Sequence, residues 1–118
     1  MSSARICTLM KEAVEDIFPG CKTLGIPVAD GGEGSVDAFL EAVGGEKIFA
    51  TVKNPFFEDM EAFYGILDSK TGGTEKTAVV EMAACAGLPL AMGRLNPRIT
   101  TTYGAGQLIA AAVQKGCK

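Results

Sequence analysis

A chain of 118 residues, 47% of them hydrophobic, is long enough for one packed domain and too apolar to be disordered. Its 11 Lys and Arg against 14 Asp and Glu give a net charge of −3, which offers no basic surface of the kind nucleic acid requires. With no His, His-based triads and His metal sites are excluded within these residues. Cys7, Cys21, Cys85 and Cys117 form no CxxC pair, so free thiols in a cytoplasmic protein are expected rather than zinc or a disulfide framework. The apolar runs are too short to span a bilayer, and no membrane partner is expected.

In chain order, Ile6, Leu9, Met10, Ala13, Val14, Ile17 and Phe18 fall at the three-and-four spacing of one helical stripe. That predicts a helix over residues 3–18, capped by Ser2 or Ser3 and stopped by Pro19-Gly20. "KTLGIPVA", residues 22–29, reads as a strand, with Pro27 at an edge or strand end. A glycine-rich turn follows, and Val36, Phe39, Leu40 and Val43 then predict a helix as far as Gly44-Gly45. Helix, strand and helix in this order indicate α/β architecture.

The pattern changes after Gly45. "KIFATV" and "MEAFYGIL" read as antiparallel strands around an Asn54-Pro55 turn, "KTGGTEK" as a loop, and "TAVVEM" as a third strand. "MAACAGLPL" predicts a short helical turn ended by Gly87 and Pro89, with residues 88–99 irregular. "TTTYGAGQLIAAAVQKG" predicts a last helix with Leu108, Ile109, Ala112 and Val113 inward and Gly116 as its stop. The expected organisation is an α/β segment over 1–45, an inserted strand-containing lobe over 46–99, and a helix over 100–118 returning toward the first lobe.

Three places carry candidate chemistry. In "PVADGGEGSVDAF" a turn at a strand's carboxyl end combines Asp30 and Glu33 with Gly31, Gly32 and Gly34. Free glycine amides allow close approach of a ligand, and the acids suit substrate hydroxyls or Mg²⁺ between phosphate oxygens. The same residues also suit a plain tight turn, with Glu33 as an acid in the first turn of the next helix. The pattern fits both readings. Asp37 and Glu41 continue the Glu33 spacing as a solvated face.

In "TTTYGAG", Thr100, Thr101, Thr102, Tyr103 and Gly104 bring hydroxyls and amide donors to a helix start, which suits a carboxylate or phosphate. The pattern alone leans toward an ordinary Thr cap. Glu81, at the end of "TAVVE", is either a buried acid with a role or a strand end meeting water. Arg94 and Arg98 can clamp an anion, although loop arginines are more often simply exposed. Neither GxGxxG nor GxxxxGK[ST] occurs, which weighs against a nicotinamide-dependent oxidoreductase.

"PVADGGEGSVDAF", "VEMAACAGLPL" and "NPRITTTYGAGQLI", in this order and with these gaps, closely resemble the glycerate kinase family of the two-lobed bacterial type. The strand pair in "ATVKNPFFEDMEAFYGIL" matches too, and the resemblance covers practically the whole chain. It implies part of a flavodoxin-like parallel α/β lobe together with part of an inserted mixed α+β lobe. It also implies ATP and Mg²⁺ as cofactors and D-glycerate as the phosphoryl acceptor. The site residues it implies are Asp30, Gly31, Gly32, Glu33 and Gly34, then Glu81, then Thr100, Thr101, Thr102, Tyr103 and Gly104. By their chemistry Asp30, Glu33 and Glu81 are assigned to catalysis and the others to substrate binding, with no metal ligand assigned.

Family members are longer. They open with a strand and an Asp-Ser-Phe-Lys-Gly loop, whereas "MSSARICTLM" matches the helix after that loop, and "KGCK" stops before a further strand. The expectation is therefore a fragment with little activity by itself, tending to self-associate through unpaired strands. The competing expectation is a non-catalytic module for small-anion binding or assembly.

Overall fold

The structure, a computed structural model, describes residues 2–68 and 75–118. Most of the expected loop over 70–76 lies outside the described residues. Helices α1 (Ser3–Ile17) and α2 (Ser35–Val43) come first. Strands β1 (Gly45–Lys53), β2 (Asp59–Leu67) and β3 (Thr77–Val80) follow, and then helices α3 (Ala83–Ala86), α4 (Leu88–Ala91) and α5 (Tyr103–Gln114). This is the mixed α/β architecture expected, with its sheet between residues 45 and 80.

The sheet has the order β1-β2-β3, antiparallel throughout. Ala50 stands opposite Ala62 and Ile48 opposite Tyr64, while Tyr64 also pairs with Val80. Strand alternation therefore puts Ile48, Ala50, Val52, Ala62, Tyr64 and Ile66 on one face, where they meet Cys85, Leu108, Ala112 and Cys117 in the core. Each fully buried Leu or Val here stabilises the fold by about 1.5–3 kcal/mol. On the other face α2 lies across Gly65, where a Cβ would stand 3.1 Å from Val36 Cγ1 and 3.2 Å from Leu40 Cδ2. The glycine of the Phe63-Tyr64-Gly65 pattern is thus the seat of a helix.

The expected Asn54-Pro55 turn joins β1 to β2. Asn54 Oδ1 accepts from the amides of Phe56 (2.8 Å) and Glu58 (3.0 Å), and Phe57 is held at φ 66°. Arg94 then bonds Glu58 at 3.4 Å and lies 3.7 Å over the Phe56 ring, while the Thr101 amide donates to Pro55 O at 2.9 Å. The segment leading to α5 is docked on this turn, and Arg94 is engaged there rather than left as an anion clamp. At the other end of α5, Gly116 (φ 80°) donates to Val113 O and Cys117 to Ala112 O, the two bonds of a Schellman stop. Cys117 and Lys76 form a parallel bridge beside β3.

Six expectations need correction. Residues 21–30 form no strand, because a strand needs a neighbour for its ladder groups and this segment lies against α1 instead. It is tied there by Val28 N donating to Ser3 Oγ (2.9 Å) and Thr23 Oγ1 donating to Glu15 Oε1 (2.7 Å). The α1 stripe forms as a helix with its Ser2 cap, yet it buries no residue: Met10 is 63% and Ile17 70% exposed. Ile109 and Val113 point outward, since α5 buries only Gly104, Leu108 and Ala112. Pro89 does not end a helical turn but sits in the first turn of α4, where its missing N–H costs nothing. Glu33 precedes α2, whose first-turn acid is Asp37. Asp37 pairs with Lys47, so it is not merely solvated.

With α1 and residues 21–30 outside the core, the Cα radius of gyration is 17.4 Å. A compact domain of this order of size has about 13 Å.

Candidate functional site

The turn between residues 30 and 34 is shaped by its glycines. Gly31 (φ 91°) and Gly34 (φ 92°) occupy the left-handed region that side chains avoid. Asp30 folds over the turn, its Oδ1 accepting from Gly32 N at 2.9 Å. Ser35 closes the turn from the other side, both its hydroxyl (2.7 Å) and its amide (3.2 Å) donating to Gly32 O.

Gly34 is the N-cap of α2 and has no side chain to satisfy the first helical amides. That task falls to Glu81, just beyond β3. Its Oε1 accepts from Gly34 N at 3.0 Å and its Oε2 from Val36 N at 3.1 Å. At 2% exposure Glu81 is a buried acid, which overturns the reading of a strand end meeting water. Sequence reasoning singled out Glu81 but missed its partners, which no local spacing could reveal across 45 and 47 residues.

Three cavities run in a row along this side. The middle one, 740 Å³, is lined by Glu33, Gly34, Phe63, Glu81, Leu88 and Leu90 among others. It shares Glu33 and Gly34 with a 390 Å³ cavity that holds Asp30 and Ser3. On its other side it shares Gly87 and Leu88 with a 560 Å³ cavity lined by Thr100, Thr101, Thr102 and Pro55. Asp30 and the threonines therefore do not line a common cavity; they stand toward opposite ends of the row.

Thr102, the N-cap of α5, makes no side-chain capping bond, and Thr101 Oγ1 accepts from Tyr103 N at 3.1 Å instead. The Tyr103 ring packs against Phe57 at 5.1 Å. Gly104 is buried against β1, where a Cβ would lie 1.9 Å from Lys53 O. Its lack of a side chain is thus required by packing. Phe63, Leu88 and Leu90 are apolar wall residues that the sequence did not flag, because their exposure toward a cavity depends on how the helices pack.

Among the described residues no group of three or more His, Cys, Asp or Glu is placed to hold a metal ion, and no helix is long and apolar enough to cross a membrane. All four cysteines are free thiols.

The glycerate kinase family model matches residues 1–118. Bacillus subtilis (strain 168) glycerate kinase is 39% identical over 119 residues, covering 100% of this chain and 30% of that protein. Escherichia coli (strain K12) glycerate 2-kinase is 37% identical over 117 residues, covering 98% of this chain and 29% of its own length. The crystal structure of the Salmonella typhimurium LT2 protein assigned as glycerate kinase 2 superposes with a TM-score of 0.70 at 33% identity. That alignment covers 99% of this chain and 31% of the solved one. The chain thus spans about 30% of the length of the curated relatives it matches. From its first residue to its last, this chain belongs to the glycerate kinase family.

Proposed function

We propose that this chain contributes part of the active site of a cytoplasmic kinase that transfers the γ-phosphoryl group of ATP to a hydroxyl of D-glycerate. The observation that carries the reading is the family match over all 118 residues. The row of cavities supports it, with carboxylates toward one end and hydroxyls toward the other. Phosphoryl transfer depends on positioning and charge neutralisation more than on covalent help from the protein, and this layout suits that division.

Asp30 and Glu33 are exposed acids facing the cavities. Asp30 Oδ1 is bonded to Gly32 N, and Oδ2 has no partner among the described residues. Asp30 takes the role of accepting a hydrogen bond from the substrate hydroxyl that receives the phosphoryl group, with Gly31, Gly32 and Gly34 keeping the approach clear. Thr100, Thr101, Thr102 and Tyr103 receive a carboxylate or phosphate at the start of α5, whose first turn depends on Gly104. Mg²⁺ commonly binds through one or two carboxylates plus substrate phosphates, so Asp30 and Glu33 fit as its protein contacts. Bound there, it would neutralise charge on the transferring phosphoryl group.

A test replaces the matching segment of the Bacillus subtilis glycerate kinase with these 118 residues and measures ADP release with D-glycerate and Mg-ATP. Retained turnover, cut at least a hundredfold by Asp30→Asn with the fold intact, is the expected result. A folded chimera with no turnover, or an Asp30→Asn chimera as fast as its parent, would overturn the assignment. The 118 residues assayed alone should turn over far more slowly than the roughly 1–1000 per second of typical enzymes.

The exposed apolar stripe of α1 favours a second reading, an assembly module that binds D-glycerate without turnover. Self-association through this stripe and the open edge of β1 belongs to that reading. Binding without ADP release in the chimera would favour it.

A further inference from the structure

We infer that Glu81 is a positioning residue, whose carboxylate sets the 30–34 turn and through it Asp30. A carboxyl group at 2% exposure needs hydrogen-bond partners for both oxygens, and no cation contacts it among the described residues. Its partners are at the N-terminus of α2: two backbone amides, one on each oxygen, aligned with the positive end of the helix dipole. Gly34 cannot cap the helix itself. Its φ of 92° demands glycine, and glycine brings no side-chain oxygen.

From these two amides a continuous set of bonds leads to Asp30. Ser35 lies between the clamped residues Gly34 and Val36, and it donates twice to Gly32 O. Gly32 N in turn donates to Asp30 Oδ1. The carboxylate at the end of β3 thus fixes the register of the turn against the sheet, across a separation of 47 residues. Glu81 acts through the backbone, and Glu33 and Asp30 are the acids left for a ligand. This assignment rests on the reading above for the identity of that ligand, but not for the clamp itself.

The test uses the 118-residue chain in three forms: unsubstituted, Glu81→Gln and Glu81→Asp. The Gly34 and Val36 amide protons are followed by NMR, with amides of β1 and β2 as a control for the fold. The unsubstituted chain should show both amides downfield and protected from exchange. Glu81→Gln should shift both upfield and speed their exchange at least tenfold, with the strand amides unchanged. Glu81→Asp, which keeps the charge but is one methylene shorter, should fall between.

D-Glycerate is then titrated into the Bacillus subtilis chimera, unsubstituted and carrying each Glu81 substitution, while the Gly31 and Gly32 amides are watched. Glu81→Gln should weaken binding at least tenfold, with partial rescue in Glu81→Asp. Unperturbed Gly34 and Val36 amides in Glu81→Gln would overturn the clamp. A perturbed clamp with unchanged D-glycerate affinity would overturn the positioning role. If the unsubstituted chimera does not respond to D-glycerate, the proposed function fails, and the amide signals still decide the clamp. If Glu81→Gln does not fold, the two amides of the unsubstituted chain decide it: unprotected, undisplaced protons would overturn it.

Discussion

Gly104, in the first turn of α5, faces the carbonyl oxygen of Lys53 at the end of β1 so closely that a Cβ would stand 1.9 Å from it. The neighbouring amide of Lys53 donates to Gln107 Oε1 at 2.7 Å, so helix and strand are joined at the same point. Gly104→Ala must therefore push two backbones apart and should cost about 1–3 kcal/mol or more. Gly106, two residues on in the same helix, has nothing within 4 Å of its would-be Cβ. Gly106→Ala should stabilise by about 0.5–1 kcal/mol, because alanine is the better helix former. Urea unfolding of the two variants checks both signs at once.

Tyr64 is fully buried, and its hydroxyl has no hydrogen-bond partner among the described residues. Desolvation, reinforced by Cys117 and Glu46, pushes its pKa up, and burial does the same to the Cys85 thiol. The folded chain then holds both protons to higher pH than the unfolded chain does. Stability is unaffected below the unfolded values, about 8.5 for Cys and 10 for Tyr, and falls as pH rises past them. Tyr64→Phe removes an unpaired buried hydroxyl, so at pH 7 it should be neutral or stabilising by about 1 kcal/mol. It should also flatten the decline above about pH 10. Urea midpoints measured from pH 7 to 11 would show otherwise if Tyr64→Phe lost stability throughout.

Glu58, in the β1–β2 turn, is held below the usual carboxylate pKa, first by the Asn54 amide and then by Arg94. Asn54 Nδ2 donates to Glu58 Oε2 at 2.8 Å, whereas the Arg94 contacts are 3.4 Å. NMR titration should therefore show Glu58 shifting upward in both Asn54→Ala and Arg94→Ala, and further in the double variant. A depressed carboxylate supports the fold above its unfolded value and loses that support as pH falls through the folded one. Asn54→Ala also removes the acceptor for the Phe56 and Glu58 amides. It should cost about 0.5–2 kcal/mol beyond any effect of charge.

Local signals were legible in the sequence because they act over a few residues. Ser2 caps α1, Asn54 builds its turn, and Gly116 stops α5, each through bonds reaching no more than about five positions. Strand alternation likewise placed β1 and β2 and their antiparallel pairing. Which face of a helix is buried was decided only by what lies opposite it. The stripes of α1 and α5 have similar spacing, yet Leu108 meets the sheet while Met10 meets solvent. "KTLGIPVA" has strand composition, but composition supplies no partner for its amides, and beside α1 it takes no ladder. The candidate site divides in the same way. The residue types of the 30–34 turn and the Thr100–Gly104 segment could be read directly. Only the tertiary structure set Glu81 beneath Gly34 and Val36 and put Asp30 and the threonines in separate cavities, because backbone amides 45 residues away leave no periodicity to read.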